Sequence, residues 1–68
     1  MEKIKIKTEY IKLDQFIKFI GVAENGAHAK EIILYEKIYV NKELEKRRGK
    51  KLYKKDIIEI KEKKYIID

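Results

Sequence analysis

Leu13, Phe16, Ile17 and Ile20 stand at i, i+3, i+4 and i+7, and Gly21 follows at once. That spacing lines four apolar side chains along one stripe of an α-helix, and a glycine directly after it is a natural stop. Asp14 falls in the first turn, where a carboxylate favours the positive end of the helix dipole. The stripe constrains the fold sharply because the residues before it have another period. Ile4 and Ile6 alternate with Lys3, Lys5 and Lys7, as in a strand with one wet face. Lysines on that face also discourage edge-to-edge pairing. A strand and a helix this close in a short chain must bury their apolar sides against the same core.

The pattern then runs through a second helix and returns to strands. Asn25 is a good N-cap for a helix reaching about Glu36, with Ala29, Ile32 and Ile33 inward and Leu34 or Tyr35 widening that face. The few residues between the helices make them a short corner or hairpin. Ile38 and Val40 flank Tyr39 in a strand, Asn41-Lys42-Glu43 turns, and Leu44 opens the return strand. Gly49 marks a bend, and Ile57, Ile58 and Ile60 form the next strand. Glu62-Lys63-Lys64 then turns the chain into a last strand from Tyr65 to Ile67. The order β-α-α-β-β-β-β predicts an α+β domain, a two-helix corner packed on a small antiparallel sheet. Leu13, Phe16, Ile17, Ile20, Ala29, Ile32, Ile33, Val40, Leu52 and Ile58 are its expected core.

The 68 residues are read as a single domain, 1–68, burying roughly 60% of its unfolded surface. A deep catalytic cleft beside a complete core is hard to build at that size. There is no cysteine and one histidine, His28, so neither a disulfide nor a zinc site is expected. No nucleophile or acid pairs with His28 by motif. The expectation is a protein with no cofactor, no small-molecule substrate and no enzymatic activity. No apolar run approaches the roughly 20 residues of a membrane span, and MEKIKIKTEY does not read as a signal peptide. A cytoplasmic monomer is expected.

Charge supplies the functional lead. KRRGKKLYKK, residues 46–55, holds seven basic residues and no acid. The chain carries 18 Lys plus Arg against 12 Asp plus Glu, a net of +6, so removing this stretch leaves 11 against 12, a net of −1. The excess is local, whereas a compositional bias would be spread out. Both arginines, Arg47 and Arg48, lie here, and a guanidinium offers phosphate a bidentate fork that an ammonium lacks.

Three stretches resemble the S4 RNA-binding domain. KLDQFIKFIGV at 12–22 is similar to the family's opening helix, R-L-D-x-x-L-x-x-x-G. AKEIILYEKIYVN at 29–41 resembles its second helix, short strand and V-N turn, and KKLYKKDIIEI at 50–60 its K/V-x-x-G-D-x-I ending. EYIKLDQFIKF and VNKELEKRRGKKL further resemble small stand-alone bacterial S4 proteins. The resemblance implies an S4-like (alpha-L) fold and binding of ribosomal RNA or ribosomal particles, in large-subunit maturation. Two departures stand out. Asn25-Gly26 replaces a frequent Ser-Arg at the second helix, leaving backbone N–H groups open to a phosphate. Lys55-Asp56 replaces Gly-Asp, at a cost of about 1 kcal/mol if position 55 requires φ > 0.

The expected RNA-binding residues centre on Arg47, Arg48, Lys50 and Lys51, with Lys54 extending the run and Tyr53 as a stacking ring within it. Lys12 and Lys30 match basic positions of the family's two helices. Gln15 faces away from the apolar stripe and is a candidate reader of a base or sugar. His28 lies in the first turn of the second helix as a stacking or hydrogen-bonding partner. Asn41 is read as a turn-former. The competing readings are a ribosome-rescue factor of the same fold, an adaptor docking an acidic partner, and the RNA-binding half of a modifying enzyme acting in trans.

Overall fold

In the computed structural model, which describes residues 1–68, the first apolar stripe becomes α1, Leu13–Phe19. Its end is a Schellman motif. Gly21 takes φ +81°, its N–H donates to the Lys18 carbonyl, and the Val22 N–H donates to that of Ile17, the two bonds that close this cap. The second helix, α2, spans Gly26–Tyr35, with Asn25 as N-cap accepting from the His28 N–H. No helix is long and apolar enough to cross a membrane.

Seven strands are present: β1 Glu2–Ile4, β2 Tyr10–Lys12, β3 Ile38–Val40, β4 Glu43–Leu44, β5 Lys51–Tyr53, β6 Ile57–Ile60 and β7 Lys63–Ile67. The main sheet has the order β1-β7-β6-β3-β4, while β2 and β5 form a separate two-stranded sheet. The fold is α+β, two helices packed against a small, mostly antiparallel sheet. It departs from the expected order in three ways. The β2–β5 sheet is additional, and β1 pairs with β7 in parallel. The last hairpin turns at Lys61-Glu62, both at positive φ, so that Lys63 and Lys64 belong to β7. The expected turn lay one residue later because neither residue favours that conformation.

Sixteen apolar residues form one buried cluster. Nine of the ten expected core residues belong to it; Ile20 only packs against its edge, because it is the C-cap residue of α1. Leu34 and Tyr35 do not widen the buried face of α2 but are exposed. Tyr65 is a core residue, its ring edge-on to Phe16 with centroids 5.7 Å apart. Asn41 is the turn-former expected: at φ 51° it starts the β3–β4 turn while its side chain accepts from the Ile57 N–H and donates to Asp56.

Candidate nucleic-acid interface

An α-helix begins with backbone N–H groups that have no partner inside it, and Lys12, the N-cap of α1, has no capping side chain. The basic run fills that gap. The Arg48 carbonyl accepts from the Asp14 N–H at 3.1 Å, and the Lys50 carbonyl from the Leu13 N–H at 2.8 Å. The loop between β4 and β5 is therefore stitched by its backbone to the start of α1, with the Arg48 side chain exposed and the half-buried Lys50 lining a depression beside Glu43, Glu45 and Arg47.

Two residues of the run have structural duties. The Lys46 ammonium donates to the carbonyls of Ile33, Leu34 and Glu36 at 3.1–3.3 Å, capping the end of α2 where unpaired carbonyls gather. Arg47 turns back onto Glu45, donating from Nε at 2.9 Å and from Nη2 at 3.1 Å. The Glu45 carboxylate also accepts from the backbone N–H groups of Lys46 and Arg47. Its pKa is lowered from 4.5 to about 2, first by the Arg47 side-chain hydrogen bond, against the opposing effect of burial. In the same pair the Arg47 pKa is raised.

The minor sheet extends this surface. In its register Tyr10 faces Tyr53, Ile11 faces Leu52 and Lys12 faces Lys51. Leu52 is buried and Ile11 packs against the core, so by strand alternation Tyr10, Lys12, Lys51 and Tyr53 share the outward face. The two tyrosine rings lie 5.9 Å apart, and the Lys51 ammonium sits 4.8 Å from the Tyr10 ring centroid, within cation–π range. Lys12 and Lys51 are like charges directly opposite each other, an arrangement that disfavours the sheet. Neither has a carboxylate in ion-pair contact, since Glu45–Arg47 is the one salt bridge of the molecule. Two lysines, two tyrosines and the adjoining Arg48 and Lys50 form a surface suited to a polyanion with exposed rings.

Residues 4–68 match the S4 domain family. The chain belongs to the S4 domain family. It is also similar to the Probable ribosome maturation protein RlbA of Bacillus subtilis (strain 168), with 44% identity over 57 residues, covering 84% of this chain and 80% of that protein.

Within this S4 domain, Lys12, Gln15, Arg48, Lys50, Lys51 and Tyr53 are carried by the segments that meet at the start of α1 and the minor sheet, while the Arg47 side chain is turned onto Glu45 beside β3 and β4. Lys54 follows Tyr53 and lines a shallow depression with Lys7, Thr8 and Glu9. His28 and Lys30 are carried by α2 instead, His28 in its first turn and Lys30 near its middle. The basic loop holds the first turn of α1 and, through Lys46, the last turn of α2. The first turn of α2, which carries His28, lies at the far end of that helix. The His28 ring is occupied locally, its Nδ1 accepting from the Glu24 N–H at 3.1 Å. The expected opening at Gly26 is partly filled as well, since Asn25 caps the His28 N–H. Sequence reasoning passed over Tyr10 and Glu45. The matched pairs Tyr10-x-Lys12 and Lys51-x-Tyr53 carried a signal for the first, but only once β2 and β5 are known to pair.

Proposed function

We propose that this S4 domain binds structured RNA without catalysing a reaction, and that its ligand is ribosomal RNA met during large-subunit assembly in the cytoplasm. The observation that carries the reading is the stitching of the Arg48 and Lys50 carbonyls to the first turn of α1. It brings the segment of Arg48 and Lys50 to the end of β2, where Lys12 faces Lys51, and none of these four cations is in an ion pair. Four such cations suit the phosphates of a folded element. The deep, narrow major groove of A-form RNA is closed to side chains, so recognition rests on shape and phosphate position. Ribosome maturation, named for the similar Bacillus subtilis protein, supports the choice of RNA.

Co-sedimentation with ribosomal particles, resolved by subunit and assembly state, tests this. The expected result is enrichment on immature large-subunit particles that is lost when Arg48→Ala and Lys50→Ala are combined. Association confined to mature large subunits would move the protein from assembly to rescue. Absence from all ribosomal fractions would overturn the ribosomal assignment.

A further inference from the structure

A groove of 790 Å³ runs along β2 and α1, on the side away from β5. It is open to solvent along its length, a shape for a group laid against its wall rather than enclosed. Its α1 wall is built from Gln15, Lys18 and Phe19, which at i, i+3 and i+4 form one stripe on the flank opposite the buried Leu13, Phe16 and Ile17. Phe19 is 64% exposed, and nothing in the fold covers its ring. The other wall is the free edge of β2. Because the Leu13 N–H bonds to the Lys50 carbonyl, Ile11 and Leu52 are the hydrogen-bonded pair of the minor sheet. The N–H groups of Tyr10 and Lys12 therefore point away from β5, to the groove side.

We propose that this groove takes one unpaired nucleotide of the bound RNA, its base stacked on Phe19 and its phosphate held by Lys12 and Lys18. The inference rests on the RNA-binding reading above and adds a subsite to it. Each part of a nucleotide meets a matching group. The aromatic face suits a base of any identity, and the Gln15 amide offers both a donor and an acceptor to a base edge. The two ammonium groups and the β2 N–H groups suit phosphate, and Glu9, at the groove's rim, accepts from an exocyclic amine. A paired base shows no ring face to Phe19, so the occupant must be splayed out of its helix. An apolar peptide would leave Lys12, Lys18 and Gln15 desolvated without partners, which is costly. The groove also shares Lys12 and Gln15 with the phosphate-binding surface, so one RNA can occupy both, a stem on the loop and a bulged nucleotide in the groove.

Two RNA stems, identical except for one bulged 2-aminopurine nucleotide, test the proposal. The wild-type protein is expected to bind the bulged stem about tenfold more tightly, as stacking of one base allows, and to quench its fluorescence. Phe19→Leu keeps an apolar side chain but removes the ring, and it should abolish both the preference and the quench. Phe19→Tyr should retain them. Arg48→Ala should weaken binding of both stems alike. A preference that survives Phe19→Leu, or equal binding of the two stems by the wild type, overturns the groove while leaving the stem surface standing. Indifference of both stems to Arg48→Ala would instead sink the RNA-binding surface itself. Adenosine monophosphate competing as strongly as the bulged stem would mark a free-nucleotide pocket and overturn the proposal as stated.

Discussion

Arg47 and Arg48 are adjacent and chemically identical, yet they have different work. Arg47 has spent one edge of its guanidinium on Glu45, and only the remaining N–H groups of its five are open to a phosphate. Arg48 has no such partner. Glu45 is the single charged residue among the buried side chains, so its carboxylate depends on the hydrogen bonds it accepts. The pH dependence follows from its pKa, which folding lowers from 4.5 to about 2. A depressed carboxylate pKa contributes stability that is complete above the unfolded value and drains away as pH falls through the folded one. The urea midpoint of the wild type should therefore drop between about pH 4.5 and 2 more steeply than that of Glu45→Gln, which lacks the titrating group. Equal slopes in the two proteins would show that the pair does not brace the loop. At neutral pH, Arg47→Ala should lower the midpoint by stranding Glu45, while Arg48→Ala should leave it unchanged and act on RNA binding alone.

The turn between β5 and β6 carries a tension of the same kind at the level of an element. Lys55 adopts φ 79°, a conformation that costs a residue with a side chain roughly 1 kcal/mol relative to glycine. It is held there because its N–H donates to the Ile67 carbonyl and because Asp56 accepts from the Tyr53 N–H. Lys55→Gly should thus raise stability by up to about 1 kcal/mol, less the extra freedom glycine gives the unfolded chain. Chemical unfolding in the absence of RNA measures it, and a loss of stability would mean that the lysine side chain contributes more than the strain costs. This strain was visible in the sequence as a lysine where the S4 pattern has glycine. Both helices were visible too, since the Leu13–Ile20 stripe, Gly21 and the Asn25 cap are local signals. The minor sheet was not. Its strands are three residues each, too short for a period to register, and Tyr10–Lys12 runs straight into the helical stripe. Its two strands lie far apart in the chain, and no local pattern encodes such pairing. The parallel β1–β7 pair was hidden for the same reason. The candidate site was legible as a concentration of charge, but the assignment of Lys46 to the end of α2 and of Arg47 to Glu45 depends on tertiary contacts.

At the scale of the whole molecule the question is whether +6 acts as a cloud or as a site. Each phosphate neutralised by a cation releases counterions, and log K falls against log salt by about 0.7 to 0.9 per phosphate. Four cations outside any ion pair are carried by the segments that meet at the start of α1: Lys12, Arg48, Lys50 and Lys51. They should give a slope of roughly −3. Arg47, already partnered by Glu45, should add little to it. Replacing Arg48 and Lys51 together by alanine should flatten the slope by nearly two units, about 0.7–0.9 for each phosphate left without its cation. Arg48→Lys should keep the slope while weakening binding, because the charge stays and the bidentate fork is removed. Lys61, Lys63 and Lys64 supply the comparison at the tip of the β6–β7 hairpin, where Lys64 stands opposite Glu59 in the sheet. These three are as basic as the loop but interleaved with acids, so alanine there should leave the slope nearly intact. The measurement is a titration of structured ribosomal RNA fragments at several salt concentrations with each variant. If hairpin and loop substitutions flatten the slope equally, the surface at α1 has no special standing and the protein binds RNA as a diffuse polycation. If only the loop variants do so, the backbone stitching of residues 48–50 to α1 is what turns an excess of lysine and arginine into a binding site.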